Sequence, residues 1–293
     1  MPSLPVLKVI LREIVSSRRF DRIPEPDLVM DDPEKVAAYT RAGREDGVMA
    51  PVYLFHASHI CDVIRPGETV VDLACGPATQ LGLVARLNPD INFIGVDLSD
   101  PMLERASAYL AEQGLKNVKT VRGNIDELSM FEDQSVDAVM STMALHHLPD
   151  RESFLKTFSA IKRILRPGGG IYLADFSRLK SMKSINYFAY QYADRQPELF
   201  TLDYLYSLKA AFSIDDFRQA TDLLAGKAKL YSMFLMPFMV AVKSAVRRPE
   251  LPLSLRHELR RMREELPEHH KVDISDLIQT FGLDGLRTNL LKK

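Results

Sequence analysis

Short apolar runs alternate with amphipathic helical patterns along the middle of the chain. The runs are TVVDLA, INFIGVD, NVKTVRG, SVDAVMST and GIYLADF, and each is rich in Val or Ile and bounded by Gly, Asp, Asn or Pro, as strands are. The stretches between them carry apolar side chains at helical spacing, as Phe154, Phe158, Ile161 and Leu165 do. This alternation predicts an α/β fold with a doubly wound, mostly parallel sheet and helices on both faces.

Two further runs, AKLYSMF and FMVAVKS, predict the last two of seven strands. Outside the sheet the pattern is helical only, and it divides the chain into three predicted parts. These are a helical N-terminal cap over residues 1–60, a domain over 61–247 with a helical, aromatic insertion at about 179–212, and a helical C-terminal tail over 248–293.

Both terminal segments carry an apolar helical face. Leu7, Ile10, Leu11 and Ile14 fall on one face of a helix, which predicts docking on the protein itself or on a second subunit. Attachment to a membrane surface is the alternative for this helix. The tail is predicted to hold one amphipathic helix, with a homodimer through the terminal helices as one arrangement that these faces allow. The apolar positions of the tail helix are Leu255, Leu259, Met262 and Leu266.

The composition of the chain limits the classes of partner and the cellular compartment that we expect. The 293 residues carry a formal net charge of -1, from 38 basic and 39 acidic side chains, so no nucleic-acid partner is expected. No apolar run reaches the ~18 residues that a bilayer crossing needs, so no membrane span is predicted. The two cysteines, Cys61 and Cys75, argue against a disulfide framework and favour a reducing, cytoplasmic location.

The stretch VVDLACGPATQLG runs from the first strand into a turn of small residues, at the edge of the sheet where doubly wound folds bind ligands. Gly76 holds the position where an unusual backbone angle is expected, whereas Ala74 and Ala78 suit close approach to a ligand without a positive φ. Pro77 lacks the N–H that a pyrophosphate would need. Asp97, at the tip of the second strand, can accept hydrogen bonds from two ribose hydroxyls. A ligand with a ribose but no phosphates fits both features, as S-adenosylmethionine does.

Four motifs that follow one another in order resemble those of class I S-adenosylmethionine-dependent methyltransferases. They are VVDLACGPATQLG, FIGVDLSDPML, VRGNIDELSMFEDQSVDAVMSTMALHHLPD and LRPGGGIYLADF. They are most similar to the small-molecule branch that includes the ubiquinone/menaquinone and sterol C-methyltransferases. The resemblance is strong over about residues 66–178 and topological over 179–247. It implies a Rossmann-like sheet, S-adenosylmethionine as the cofactor and methyl transfer as the activity.

The resemblance assigns roles to the first turn and to the tip of the second strand. Ala74, Gly76 and Ala78 would line the methionine part of the cofactor, and Asp97 would bind its ribose. We expect Asp72 to order the turn by accepting backbone N–H bonds rather than to touch the ligand.

The later motifs supply the remaining cofactor contacts that the resemblance implies. Leu98 and Met102 would lie against the adenine. Asn124 stands where relatives often have an acid, and its side-chain oxygen would accept from the adenine amino group, while the Ile125 N–H would donate to the ring. Ser141, near the end of the fourth strand, would face the methionine end together with the threonine that follows it.

Candidate catalytic and metal-binding side chains are few. His147 follows His146 in the loop after the fourth strand, and histidine is the usual general base near neutral pH. We take His147 as the candidate base, with a structural role in the loop as the alternative. Cys75 is expected to be a small turn residue. His56 and His59 share one helical face without an evident third ligand, so no metal is predicted.

The predicted function is methyl transfer to a small molecule in a pocket that the N-terminal cap and the helical insertion close. The motif N/D-P-P-Y/F, typical of enzymes that methylate nucleobase amines, is replaced by STMA after the fourth strand. The alternative is a protein that binds S-adenosylmethionine without methyl transfer, in a regulatory role or with use of another part of the cofactor. We expect the acceptor pocket to be lined by Tyr39 and by at least one of Tyr187, Tyr190 and Phe212.

Overall fold

The computed structural model describes residues 4–17, 20–26, 34 and 47–288. Seven strands form one sheet within these ranges. They are β1 (Thr69–Leu73), β2 (Asn92–Asp97), β3 (Val118–Arg122), β4 (Val136–Thr142), β5 (Leu165–Phe176), β6 (Ala228–Ser232) and β7 (Met239–Ser244).

The sheet order is β3-β2-β1-β4-β5-β7-β6. Strands β1 to β5 run parallel, as in the pairing of Val71 with Ile94, and β7 is antiparallel to both of its neighbours. The predicted seven-stranded, mostly parallel, doubly wound sheet is therefore confirmed. The chain winds outwards from β1 and β4 in opposite directions, so the topological switch point lies between these two strands.

Helices cover both faces of the sheet. They are α1 (Leu4–Val15), α2 (Ala50–Cys61), α3 (Thr79–Leu87), α4 (Asp100–Glu112), α5 (Arg151–Ile164), α6 (Met182–Tyr190), α7 (Glu198–Ala210), α8 (Ile214–Leu223), α9 (Leu253–Glu265) and α10 (Glu268–Leu283), with a 3-10 turn at Leu145–His147. Neighbouring residues of one strand enter different cores, because strand side chains alternate between the two faces. Val70 joins the core under α2 and α3, whereas Val71 joins the core under α5 and α8.

Helices begin at local capping signals beside the carboxyl edge of the sheet. The Ser99 hydroxyl accepts the N–H of Met102 at the start of α4, and Asp150 accepts the N–H of Ser153 at the start of α5. A capping box at Ser213 starts α8. Each side chain satisfies a backbone donor that the first helical turn leaves free, and this fixes where the loops at the sheet edge end.

The C-terminal tail forms two helices instead of the predicted single helix. Leu266 has φ -59° and ψ 142°, the extended conformation that a residue before proline prefers, and Pro267 begins α10. Phe281 of α10 stacks on Phe55 of α2 with ring centroids 5.4 Å apart. The tail is therefore part of the hydrophobic core.

Candidate functional site

The turn after β1 holds three residues in the left-handed region, with φ of 53° at Ala74, 53° at Gly76 and 62° at Ala78. The expectation that the two alanines avoid a positive φ is wrong. The chain has to bend sharply from β1 into α3, and a left-handed alanine costs about 1–2 kcal/mol. The methyl group of Ala78 is fully buried in the core, which offsets part of this cost.

Asp97 joins the turn to the end of β2. Its Oδ2 accepts the Gly76 N–H at 2.7 Å, and its Oδ1 accepts the Ser99 N–H at 2.9 Å. Asp97 therefore orders the turn, the role that the sequence assigned to Asp72. Burial raises the pKa of the Asp97 carboxyl, and the N–H groups of Ser99 and Gly76 partly offset this shift. Each carboxylate oxygen keeps a second lone pair that can accept from a ligand hydroxyl.

The space beside this turn fits the cofactor that the sequence implies. A Cβ built on Gly76 would meet no atom within 4 Å, so the backbone there faces open space. Gln80, in the first turn of α3, donates to the Tyr53 carbonyl, while its buried Oε1 has no hydrogen-bond partner among the described residues. An unpaired buried acceptor is costly unless a ligand donates to it, and the methionine ammonium group is such a donor.

The predicted adenine-side residues lie on the loops after β2 and β3. Leu98 exposes 42% of its surface, whereas Met102 and Ile125 are buried. The side-chain oxygen of Asn124 accepts the N–H of Asp126 at 3.3 Å, so it already has one weak partner. These residues flank Asp97 at the same edge of the sheet, and their contacts with adenine stay a prediction.

Ser141 makes its hydrogen bond within the sheet, and its predicted place at the methionine end of the cofactor stays a prediction. It is fully buried, and its hydroxyl donates to the Leu73 carbonyl at 2.8 Å, which ties β4 to the end of β1. Strand alternation turns the next side chain, Thr142, the other way and leaves it half-buried.

Two histidines in the loop after β4 form a cluster with two carboxylates from other parts of the chain. Asp175, at the end of β5, accepts the backbone N–H of His146 through Oδ2 and faces the ring Nδ1 of His146 through Oδ1, at 2.7 Å. Glu25 lies 2.6 Å from the Nδ1 of His147 and accepts the Ser207 hydroxyl at 2.9 Å. The two imidazole centroids are 4.3 Å apart.

Glu25 changes the acid–base state of His147. Burial alone would lower the pKa of His147, but the charge of Glu25 and its hydrogen bond raise it to about 9. Burial would raise the pKa of Glu25, and the same pair lowers it to about 2. The protonated imidazole is thus favoured at neutral pH, which opposes a general-base role for His147. That role stays a prediction.

An N-terminal segment, residues 20–26, holds Glu25 in place. Arg22 in this segment lies over the ring of Phe212, with its guanidinium carbon 4.1 Å from the centroid. No sequence pattern marks Arg22 or Glu25, and both were missed because their partners lie more than a hundred residues away. The Arg22 guanidinium donates to the carbonyl oxygens of His146, Leu148, Pro149 and Ala210.

An apolar cavity of about 400 Å³ adjoins this cluster. Met143, which follows β4, and Phe176, which ends β5, line it, so the cavity reaches the carboxyl edge of the sheet. The Phe176 ring also lies 5.5 Å from the ring of His146. The wall includes Val6 and Ile10 from α1, Phe188 from α6, Phe200 and Tyr204 from α7, and Leu277 and Thr280 from α10.

The predicted acceptor residues do not line this cavity. Phe212 is buried in the core on the other face of the sheet, stacked on Phe154 at 4.2 Å. Tyr190 is about half exposed, and Tyr187 packs beside Phe188 without reaching the cavity wall. Neighbouring aromatic residues of α6 and α7 face the cavity instead. Tyr39 lies outside the described residues.

Comparisons with known proteins agree with this arrangement. A family model described as a methyltransferase domain matches residues 64–233, more than half of the chain. An arsenite methyltransferase from Halobacterium salinarum is 34% identical over 113 residues, which is 38% of this chain and 28% of that protein. The ubiquinone/menaquinone biosynthesis C-methyltransferase UbiE from Citrobacter koseri is 32% identical over 120 residues, 40% of this chain and 46% of that protein. The matched stretch spans 27% to 55% of such curated relatives.

Solved structures share the fold. A SAM-dependent methyltransferase from Aquifex aeolicus superposes with a TM-score of 0.52 at 16% identity, covering 74% of this chain and 100% of that chain. A protein from Methanococcus maripaludis gives a TM-score of 0.53 at 19% identity, covering 78% and 100% of the two chains. Within the described ranges, no helix has the length and apolar character that a bilayer crossing requires.

Proposed function

The chain belongs to the S-adenosylmethionine-dependent methyltransferase family, and from that premise we propose that it methylates a small apolar acceptor held in the cavity between α1, α6, α7 and α10. Membership of the family confirms the predicted resemblance and the predicted cofactor. The observation that carries the proposal is an apolar cavity that adjoins the carboxyl edge of the sheet, where a doubly wound fold binds its ligands.

The turn after β1 and the tip of β2 would hold the cofactor. Asp97 would accept from two ribose hydroxyls, and the backbone of Ala74, Gly76 and Ala78 would allow the methionine part to approach closely. The exposed side chain of Leu98 would cover the adenine. The bound cofactor supplies an activated methyl group, so the protein has mainly to position the acceptor in line with it and to exclude water.

The wall of the cavity sets the class of acceptor. Its lining is predominantly aliphatic, aromatic and thioether side chains. The polar minority includes the amides of Gln191 and Gln196 and the carboxylates of Asp273 and Asp276. Burial of apolar surface contributes about 25 cal/mol per Å², so such a wall selects a lipophilic molecule of modest size. The net charge of -1 offers no attraction for a polyanion. We therefore propose a small molecule, and no nucleic acid, as the substrate.

Segments that precede β1 and follow β5 in the sequence would form the lid. Val6 and Ile10 of α1 and Phe200 and Tyr204 of α7 meet around the same cavity although they are far apart in sequence. We also propose a cytoplasmic location. We also propose a homodimer through exposed apolar residues of the terminal helices, such as Leu11 on α1 and Val272 on α10.

The test combines cofactor binding with a cavity-filling variant. Val52 lines the cavity and Val118, on the edge strand β3, does not, and both are half-buried. We expect the purified protein to bind S-adenosylhomocysteine. We also expect it to transfer labelled methyl groups from S-adenosylmethionine to members of a panel of alkylphenols and dihydroxynaphthalenes. Val52→Phe should raise KM for the acceptor at least ~tenfold by occupying its space, whereas Val118→Phe should leave KM unchanged.

Two results would contradict the proposal. Equal KM values in Val52→Phe and the unmodified protein would place the acceptor outside the cavity. Tight binding of S-adenosylhomocysteine without transfer to any apolar acceptor, together with a chemically altered cofactor in mass spectrometry, would favour use of another part of the cofactor instead.

A further inference from the structure

We propose that Glu25, His146 and His147 form a binding site for a divalent transition-metal ion, a site that the sequence did not predict. One ligand atom from each residue lies within 4.8 Å of the others. Two imidazole nitrogens and one carboxylate oxygen form a donor set that suits Zn²⁺ and the later divalent ions of the first transition row. Metal binding would displace the proton between His147 Nδ1 and Glu25 and release it to the solvent. All three residues belong to the part of the chain that the structure describes, and two of them follow β4 directly.

The orientation of His146 supports a metal on its far nitrogen. Asp175 accepts from Nδ1 at 2.7 Å and from the backbone N–H of His146 at 2.9 Å. With a carboxylate as its partner, Nδ1 carries the proton, and Nε2 presents a lone pair. Metal-binding histidines are typically held in this way, because a carboxylate on the second nitrogen fixes the ring and raises the basicity of the first.

A second carboxylate lies near Nε2 of His146. Glu25 Oε1 lies 3.9 Å away, too far for a hydrogen bond. Among the described residues, no hydrogen bond joins His146 Nε2 to a donor. Two electron-rich atoms thus lie near each other on largely buried side chains, and a cation between them could bind both.

The nitrogen–oxygen distances within the cluster are close to those between the ligand atoms of a metal centre, and small movements of the side chains would bring them into range. Bonds of ~2.0–2.1 Å in tetrahedral geometry place neighbouring ligand atoms ~3.3 Å apart. The distance from His146 to Glu25 is 3.9 Å and that from His147 to Glu25 is 2.6 Å, so the two values lie on either side of this spacing. Rotation of the Glu25 carboxylate toward His146 would shorten the first and lengthen the second. The same carboxylate accepts the Ser207 hydroxyl in the present arrangement.

Three protein ligands leave at least one coordination position open. Phe176 lines the apolar cavity, and its ring lies 5.5 Å from the ring of His146, so the cluster adjoins the cavity. This step rests on the proposed function: the metal would bind an oxygen of the acceptor and so select hydroxylated or carbonyl-bearing molecules.

Metal binding can be measured without the cofactor or an acceptor. We expect protein freed of metal by a chelator to bind one Co²⁺ with visible absorption bands that Zn²⁺ abolishes by competition, and to bind Zn²⁺ with a Kd of about 1 μM or tighter. Glu25→Gln and His146→Gln remove a ligand and should weaken Zn²⁺ binding at least ~100-fold. Asp175→Asn keeps the ligands and should weaken it ~10–100-fold. His257→Gln, at an exposed position on α9, is the matched control and should bind as the unmodified protein does.

Calorimetry with S-adenosylhomocysteine separates this inference from the proposed function. Cofactor binding retained in Glu25→Gln would show that the variant is folded. A Zn²⁺ Kd weaker than about 1 mM, or equal affinity in Glu25→Gln, His146→Gln and the control, would overturn the metal site, and the cluster would then be a plain histidine–carboxylate pair. Tight Zn²⁺ binding without cofactor binding would preserve the metal site and contradict the proposed function.

Discussion

At the scale of single residues, Asp97 connects the architecture of the turn after β1, residues 74–78, with the proposed binding of the cofactor. It holds the turn through Gly76 and, in the proposed role, also accepts from the ribose. Hydrogen bonds to a charged group contribute about 1.5–3 kcal/mol each. Asp97→Ala should therefore weaken S-adenosylhomocysteine binding at least ~tenfold in calorimetric titration. Asp100→Ala, which removes an exposed carboxylate paired with Arg122, should leave the affinity unchanged, and equal affinities in the two variants would refute the ribose assignment.

The buried histidines of α2 make stability depend on pH. His56 is fully buried beside the Tyr172 hydroxyl, and burial lowers its pKa from 6.5 to about 3. Between pH 6.5 and 3 the unfolded chain binds a proton that the folded chain does not, so this contribution to stability is present above pH 6.5 and is lost as the pH falls. One such proton changes the free energy of unfolding by about 1.4 kcal/mol per pH unit.

His56→Gln should reduce this slope by about one proton between pH 6 and 4, because glutamine does not titrate there. Urea unfolding at several pH values measures it. His257→Gln, at an exposed site, should keep the original slope. A slope unchanged by His56→Gln would mean that His56 is already protonated in the folded state.

At the scale of elements, the turn between β1 and α3 stores backbone strain at two alanines that differ in burial. Replacing a left-handed alanine by glycine removes a backbone cost of about 1–2 kcal/mol. Glycine also gives the unfolded chain more freedom, which lowers the free energy of unfolding by about 0.4–1 kcal/mol. Ala74 is half-buried, so Ala74→Gly should raise the free energy of unfolding by up to about 1 kcal/mol. Ala78→Gly also loses a buried methyl group worth about 0.8 kcal/mol and should be close to neutral.

Chemical denaturation of the two variants measures the difference directly. The contrast between them isolates the methyl group, because both positions have nearly the same φ. If Ala74→Gly destabilised the protein by as much as Ala78→Gly or more, backbone strain would not control the stability of this turn.

The sheet and the position of the turn after β1 could be predicted from sequence because their signals are local, although the left-handed backbone at Ala74 and Ala78 could not. An apolar run of five or six residues, or a cap such as Asp150, reports on its own neighbourhood. The role of a single side chain is harder to predict, because neighbours such as Ser141 and Thr142 point to opposite faces of β4. The orientation of the helices in the insertion is harder still to predict, because aromatic residues lie on more than one face of α6 and α7. Only the packing of the folded protein decides that Phe188 rather than Tyr187 reaches the cavity.

The cluster of Glu25, His146, His147 and Asp175 shows a second limit of prediction from sequence. His146 and His147 stood out in the sequence, and Asp175 ends a predicted strand. Glu25 belongs to a segment without periodicity, and it meets His147 from 122 residues away. Contacts over such separations follow from the assembled fold, so no local pattern could have completed the set.

At the scale of the whole molecule, the cavity couples distant parts of the chain. The N-terminal helix α1, the inserted helix α7 and the C-terminal helix α10 all contribute to one wall. In the proposed lid, closure of the cavity would order these helices together. Lid segments of this kind commonly move on the μs–ms scale in the absence of ligand.

Hydrogen exchange with and without S-adenosylhomocysteine should reveal this coupling. We expect exchange to slow in residues 4–15 and 198–210 together, in addition to the turns at 74–78 and 97–98. Helix α9, which contributes no residue to the cavity wall, is the internal control and should keep its rates. Protection confined to the turns would mean that α1 and α7 do not respond to the cofactor. The cavity would then be closed in advance, and acceptor entry would need local opening of α1, whose outer face exposes Leu11 and Val15.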